Sequence, residues 1–329
     1  MKESILVSIA VPIFGVEKYI ERCAISLFEQ TYQNIEYVFV NDCTKDNSIH
    51  LLNSIINRYP KRKPFVKVIN HEFNRGLGNT RNTAINNCSG DFVLSVDSDD
   101  WLELDAVEKL IEKQVEENAD IVYGNIILND NIRSKNFMVP DCKNKDQLLI
   151  HVLSQEYHHE VCSRLIKRSL YIDYNIKVED GCNVGEDWQV LPRLIYYAKK
   201  ISFINTDIYH YFIENESSTI RRKKDYDLWK NYYLNEAKSL SILNRFYINK
   251  EEKYRKAISF FSSHRIYDYM LVAVCHNDST LFYSLKESLL SCDLMDLRKS
   301  IGNNNGIILR AKLSYTLQRI KWIMSNSFK

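Results

Sequence analysis

The chain has 329 residues, with 44 Lys and Arg against 42 Asp and Glu, so a net charge of +2 gives no ground for nucleic-acid binding by the whole molecule. No apolar run approaches the roughly 20 residues that cross a bilayer, and Met1-Lys2-Glu3 leads straight into an apolar segment instead of a signal peptide, an arrangement expected of a cytoplasmic protein. Eight cysteines lie scattered without a C-x-x-C pair, which indicates neither a zinc site nor a disulfide framework, and reduced, mostly buried thiols are expected.

Ser8-Ile9-Ala10-Val11-Pro12 reads as a buried strand. Val16, Tyr19, Ile20, Cys23, Ala24, Leu27 and Phe28 follow at i, i+3, i+4 spacing as the inner stripe of a helix. A second strand, Ile35 to Val40, ends in Asn41-Asp42-Cys43-Thr44, polar residues suited to a strand-end loop. Leu52, Ile55, Ile56 and Tyr59 mark the next helix, and Val66 to Ile69 a third strand. A Gly-containing turn, Asn74-Arg75-Gly76-Leu77-Gly78, then leads into a helix through Arg81 to Asn87. Phe92 to Val96 is a fourth strand and runs into Asp97-Ser98-Asp99-Asp100. This β-α-β-α-β-α-β succession predicts an α/β fold, a mostly parallel sheet with right-handed crossovers and flanking helices. Asp42 and Asp97 then share the carboxyl edge, where open α/β sheets bind ligands.

Asp97 and Asp99, one residue apart, suit a hard cation such as Mg²⁺ or Mn²⁺ that bridges two phosphate oxygens. The same cluster also reads as an acidic turn capping the helix near Asp105. Glu186-Asp187 opens a helix continued by Trp188, Leu191, Leu194, Ile195 and Ala198. Acids there complement the helix dipole, and a carboxylate there can also take a proton. His210, in Tyr209-His210-Tyr211 at the end of a strand, is either a third metal ligand or a packed histidine. Trp101 and Trp188 line a sugar or acceptor site, or belong to the core. Beyond about residue 224 only helices are read, with Tyr232-Tyr233, Phe246-Tyr247 and Phe260-Phe261 supplying apolar surface. Ile307 to Lys329 carries five basic residues, no acid, and Leu309, Leu313, Leu317, Ile320, Trp322, Ile323 and Met324. That composition fits an interfacial helix on an anionic membrane, or a terminal helix packed on its own domain.

Several ordered stretches together resemble the family 2 inverting glycosyltransferases, whose nucleotide-binding half has the GT-A fold. They are Val7 to Phe14 with Val16-Glu17-Lys18-Tyr19, Gln30 to Glu36, Asn41 to Ser48, Asn74 to Gly76, Arg81-Asn82 with Ala84, Asp97 to Trp101, and Gly185-Glu186-Asp187. The resemblance covers about residues 4 to 220 and implies a bacterial enzyme of polysaccharide or cell-surface glycan synthesis. It implies that the backbone around Pro12 and Phe14 borders the nucleotide, that Asp42 hydrogen-bonds the base, and that Arg81 lies near the base or diphosphate. Asp97 would face ribose and metal, with Ser98 among the donor-site residues, and Asp99 would be the principal metal ligand. Asp187, with Glu186 beside it, would be the base. Asn41 stands where Asp is common, Cys43 where Gly is, and Gly15 where Asn is, but none of these removes a group the chemistry requires.

The resemblance also implies a catalytic domain over 1–224, its nucleotide-sugar half about 1–125 and its acceptor half about 126–224, followed by a helical region over 225–329. The implied partners are a nucleotide-sugar donor, with UDP the favoured nucleotide and Mn²⁺ or Mg²⁺ as cofactor, and a glycan or lipid-linked glycan acceptor. The helical region leaves a homodimer and a peripheral membrane contact open. Two other functions use similar parts. A metal-dependent nucleotidyltransferase has no reason for Glu186-Asp187, and a non-catalytic nucleotide-sugar-binding protein needs Asp42 and Asp99 but not Asp187.

Overall fold

The computed structural model describes residues 5–130, 134–137, 144–156, 160–215 and 225–291. Its first half follows the expected alternation. Strand β1 (Val7–Ile13) is buried at every position, as a strand covered on both faces must be. Helix α1 (Ile20–Phe28) starts later than its apolar stripe, because Val16 first forms a turn in which its carbonyl accepts from Tyr19 and Ile20. Then come β2 (Ile35–Asn41), α2 (Ser48–Arg58), β3 (Val66–Asn70), α3 (Leu77–Asn87) and β4 (Phe92–Ser95). A short β5 (Trp101–Leu102) separates Asp97–Asp100 from α4 (Ala106–Glu117), and Asp105 at the N-cap makes no side-chain cap bond. The acidic cluster is therefore not the cap of that helix.

The middle of the chain supplies β6 (Ile121–Asn129), β7 (Ser134–Phe137), α5 (Lys145–Leu153), β8 (Arg164–Lys167), α6 (Arg168–Asp173), α7 (Glu186–Tyr197) and β9 (Ile201–Phe212). Among the described residues the strands form one nine-stranded sheet in the order β3-β2-β1-β4-β8-β6-β9-β5, with β7 paired to β6. β3, β2, β1 and β4 run parallel, β8 is antiparallel to both β4 and β6, and β9 is parallel to β6. The chain winds outward from β1 to β3 and then returns to β4 on the other side of β1. That reversal makes the carboxyl ends of β1 and β4 a topological switch point, where a crevice opens.

A buried carboxylate fastens the opposite end of these strands. Glu36, in β2, accepts from Ser8 Oγ at 2.5 Å, Ser89 Oγ at 2.8 Å, Gly90 N at 3.1 Å and Lys67 Nζ at 3.0 Å, and also from Ser89 N. Burial alone would raise its pKa, but these donors bring it down to about 2. Arg62 is buried as well, and it donates to the carbonyls of Phe28, Gln30, Tyr32 and Gln33, which fixes the turn between α1 and β2.

The chain divides into two compact units, residues 1–152 with 156–223 and residues 153–155 with 224–329. In the second, α8 (Tyr226–Tyr247), α9 (Glu252–Cys275) and α10 (Ser279–Ser291) pack on one another. Asp225 caps α8 by accepting from Leu228 N at 2.9 Å. The fully buried Glu236 pairs with Arg265 Nε at 2.8 Å. No helix among the described residues is long and apolar enough to cross a membrane, and the basic segment 307–329 lies outside the described residues.

Candidate active site

The carboxyl edge of the parallel strands carries most of the expected site. β2 ends at Asn41, so Asp42 is the next residue on that edge, and its amide extends the ladder by donating to Ile13 O at 2.9 Å. Its carboxylate, however, is turned inward and only 3% exposed. One oxygen accepts from Arg75 N and meets His71 Nδ1, both at 2.8 Å, and the other accepts from Gly76 N at 2.8 Å. Asp42 thus pins the loop between β3 and α3, where the sequence reading gave it a base contact. Three of its roughly four acceptor positions are already spent inside the protein. Pro12 lies within buried β1, whereas Phe14 just beyond it is 56% exposed at the edge.

One guanidinium organises the acids. Arg81, on α3, donates through Nη2 to Asp97 Oδ1 at 2.8 Å and through Nη1 to Asp187 Oδ1 at 2.7 Å and Glu186 Oε1 at 3.2 Å. All four side chains are largely withdrawn from solvent. Burial opposes the charge on Arg81, but Asp187, Asp97 and Glu186 more than reverse this and hold its proton firmly. Burial pushes Asp187 up to about 8; Arg81 works against that rise, and Glu186 and Asp97 add to it. Glu186 is also raised by burial, against the pull of Arg81. A buried carboxylate with a pKa near the working pH is the form a general base takes. The structure thus joins Arg81, Asp97, Glu186 and Asp187, residues up to 106 positions apart.

The loop after β4 holds the other acids at different depths. Asp100 is 1% exposed and accepts from Tyr209 Oη and Phe212 N, both at 2.7 Å. The Tyr209 hydroxyl also accepts from Asp97 N at 3.1 Å, so a single phenol braces both ends of the turn. Asp99 accepts from Asn215 Nδ2 at 2.8 Å, and Ser98 between them is buried. Burial and the neighbouring Asp97 raise Asp99, while burial, Asp99 and Asp97 raise Asp100 further. Carboxylates forced into mutual repulsion are relieved by a divalent cation. Asp97 and Asp99 therefore fit such an ion as a two-carboxylate set whose remaining ligands are substrate oxygens and water.

His210 does not join them. Its ring stacks on Trp101 at 4.7 Å, Nε2 meets Glu103 Oε1 at 2.8 Å, and Nδ1 meets Asn129 Nδ2 at 3.2 Å. No group of three or more acids, histidines or cysteines able to hold a metal exists among the described residues. Both ring nitrogens are engaged away from the acid cluster, which is the arrangement of the packed reading. The Arg22 guanidinium also lies over the Trp101 ring at 3.6 Å, and Arg22 Nη2 donates to the Asp99 carbonyl at 3.1 Å. Trp188 is buried.

The loop leading to Glu186-Asp187 is clamped to α3 by residues whose roles the sequence did not announce. Asn82 donates to Val178 O at 2.8 Å and accepts from Val178 N at 3.0 Å, so its amide substitutes for a neighbouring strand. Gln189 accepts from Glu179 N at 2.9 Å. Gly185, with φ of 71°, turns the chain into α7. Gly76, with φ of 83°, lies so close to the same loop that an added Cβ would stand 1.9 Å from Asn183 Oδ1. Asn82 could have been suspected from its place beside Arg81, but nothing in the sequence pairs it with Val178.

The glycosyl transferase family 2 model matches residues 8–174. The EpsH protein of Bacillus subtilis is 30% identical over 79% of this chain and 74% of its own length. Glycosyltransferase GlyA of Streptococcus pneumoniae serotype 4 is 31% identical over 64% of this chain, which spans only 31% of that longer protein. Among solved structures, residues 1–349 of Staphylococcus aureus TarS in complex with UDP-GlcNAc align with a TM-score of 0.56 at 20% identity, over 86% of this chain and 91% of that one. At that identity the likeness speaks for the fold alone.

Proposed function

The chain belongs to glycosyltransferase family 2, and from that premise we propose that it moves a sugar from a UDP-linked donor to an acceptor hydroxyl with inversion at the anomeric carbon. By the same resemblance the product is a cell-surface polysaccharide or glycan. The observation that carries this reading is the Arg81 fork, which ties Asp187 and Glu186 to Asp97 and so sets a buried base beside the donor-facing edge. UDP is the nucleotide favoured by the family resemblance, and TarS, which shares the fold, is known in complex with UDP-GlcNAc.

A cation held by Asp97 and Asp99 would supply Lewis-acid stabilisation to the diphosphate as it departs. The protein's own groups do the rest. Asp187 accepts the proton of the attacking hydroxyl as the new bond to the anomeric carbon forms and the bond to the diphosphate oxygen breaks on the opposite face. Arg81 holds Asp187 in place and compensates part of its charge, and Glu186 shares that hydrogen bond. A single displacement needs no enzyme nucleophile. A nucleotidyltransferase or a sugar-nucleotide sensor leaves this buried base without a task.

Titration calorimetry with UDP and Mn²⁺ tests the donor half of the proposal. Asp99→Ala is expected to lose metal-dependent UDP binding while leaving the melting temperature of the free protein within a few degrees. Unchanged affinity for UDP in the presence of Mn²⁺ would remove Asp99 from the metal site. Proton NMR of the product's anomeric configuration tests inversion.

A further inference from the structure

Behind Asp187 lies a cavity of about 210 Å³ enclosed by α3, α6, α7 and the segment 175–178. Its rim is polar and exposed, with Asn86, Asn175 and Lys177. Its walls are the buried Ile85, Ile176 and Val190, and its floor is formed by Arg81, Tyr171 and Asp187. Two buried polar atoms on that floor, Tyr171 Oη and Arg81 Nε, have no hydrogen-bond partner. Tyr171 and Asp187 line the same cavity, and burial and then Asp187 push the Tyr171 phenol above its ordinary range. Asp187 Oδ1 is taken by Arg81 and by Val161 N at 3.3 Å, which leaves its second oxygen unclaimed. Unmet hydrogen-bonding capacity this deep is costly, and native interiors leave it only where something else supplies the partner.

We propose that this cavity seats the terminal sugar ring of the acceptor, a neutral polyol, with the Tyr171 hydroxyl and Asp187 as its innermost hydrogen-bond partners. The inference rests on the glycosyl-transfer reading and names the acceptor class that reading leaves open. None of Phe14, Asp42, Asp97 or Asp99 lines the cavity, whereas the proposed base Asp187 does, so an occupant would meet the base without displacing those donor-edge residues. Aliphatic walls alternating with amides match a ring that is apolar on its C–H faces and hydroxylated at its edge. An anionic acceptor is disfavoured, because Arg81 on the floor is already shared among three carboxylates.

The test titrates methyl glycosides of glucose, galactose and N-acetylglucosamine, and glycerol 3-phosphate as an anionic control, by ligand-observed NMR, with and without UDP and Mn²⁺. At least one glycoside is expected to bind the wild-type protein and glycerol 3-phosphate to bind more weakly. Val190→Phe, which fills the cavity, should weaken that binding by about tenfold or more, and Tyr171→Phe by about fivefold, the worth of one neutral hydrogen bond. UDP affinity should be unchanged in both. Tyr171→Phe should melt no lower than wild type, since the lost hydroxyl has no partner to forfeit. Glycoside binding equal in all three proteins, no glycoside binding at all, or preference for glycerol 3-phosphate would each overturn the inference. Failure of the wild-type protein to bind UDP would instead overturn the donor reading.

Discussion

Asp187→Asn isolates the proton-transfer step, and the burial of this carboxylate makes its effect quantitative. With a pKa of about 8, roughly one tenth of Asp187 is ionised at pH 7 and about one hundredth at pH 6. Only the ionised form accepts a proton, so turnover should climb about tenfold per pH unit from 6 to 7, bend near 8, and level off by about 9. Asparagine preserves the shape and cannot accept the proton, so turnover should fall by about 10² to 10⁴-fold at the plateau and lose that rise. Stability follows the opposite course. The folded pKa stands above the ordinary 3.8, so the carboxyl's contribution to stability is whole below about pH 4 and is lost as pH rises through about 8. The Asn variant escapes that loss and should gain on wild type in urea unfolding between pH 5 and 9. The assay is donor turnover against pH with saturating metal, alongside calorimetry for UDP. A variant that keeps the wild-type rate, or a wild-type profile flat from pH 6 to 9, would refute the assignment and make Glu186 the next candidate.

Glu36→Gln is expected to cost about 3 kcal/mol of stability at pH 7, since a depression from 4.5 to about 2 is worth that much. The folded pKa is below the ordinary one, so the loss should be complete above about pH 5 and fade as pH falls toward 2; urea midpoints at pH 7 and 3 measure it. Asn82→Leu should lower turnover by about tenfold with little change in UDP affinity, because two hydrogen bonds to Val178 hold the loop before Asp187 and not the donor. Equal losses in donor affinity and turnover would assign Asn82 to the donor site. Removing residues 307–329 should reduce co-sedimentation with anionic vesicles if the basic, acid-free composition of that segment binds lipid, and equal sedimentation would discard the idea.

The parallel half of the fold was legible because its signals are local. Strands β1 to β4 are short, largely apolar runs that end in polar loops, and helices α1 and α2 carry i, i+3, i+4 stripes. In the second half only α7, the end of β9 and the helices after residue 224 were legible. β8 has only four residues and β5 two, and both exist as strands only through antiparallel partners found far along the chain. β6 pairs with β9 through register shifts near Gly124 that no periodicity announces. At the site, Asp97, Glu186 and Asp187 stood out as acids and Arg81 was expected near the base or diphosphate, but nothing in the sequence showed that this arginine joins the three acids. Asp42, an acid at a strand end, looks fully available in sequence, and only the folded loop shows that Arg75 and Gly76 already donate to its oxygens. His210 shows the same gap, since its occupation by Glu103 and Asn129 depends on β5 and β6 lying beside β9.

The close approach of Gly76 to Asn183 bears on how such an enzyme can be re-engineered. The turn that Asp42 pins and the loop that carries the base meet where a Cβ on Gly76 would displace the Asn183 side-chain amide, and Asn82 on α3 holds that same loop. A graft that imports the base-bearing loop from another enzyme without its matching turn would have to rebuild the contact between residues 76 and 183. Chimeras should therefore exchange residues 71–87 and 176–190 together, as one cassette, and library designs that diversify either segment should hold Gly76, Arg81 and Asn82 fixed.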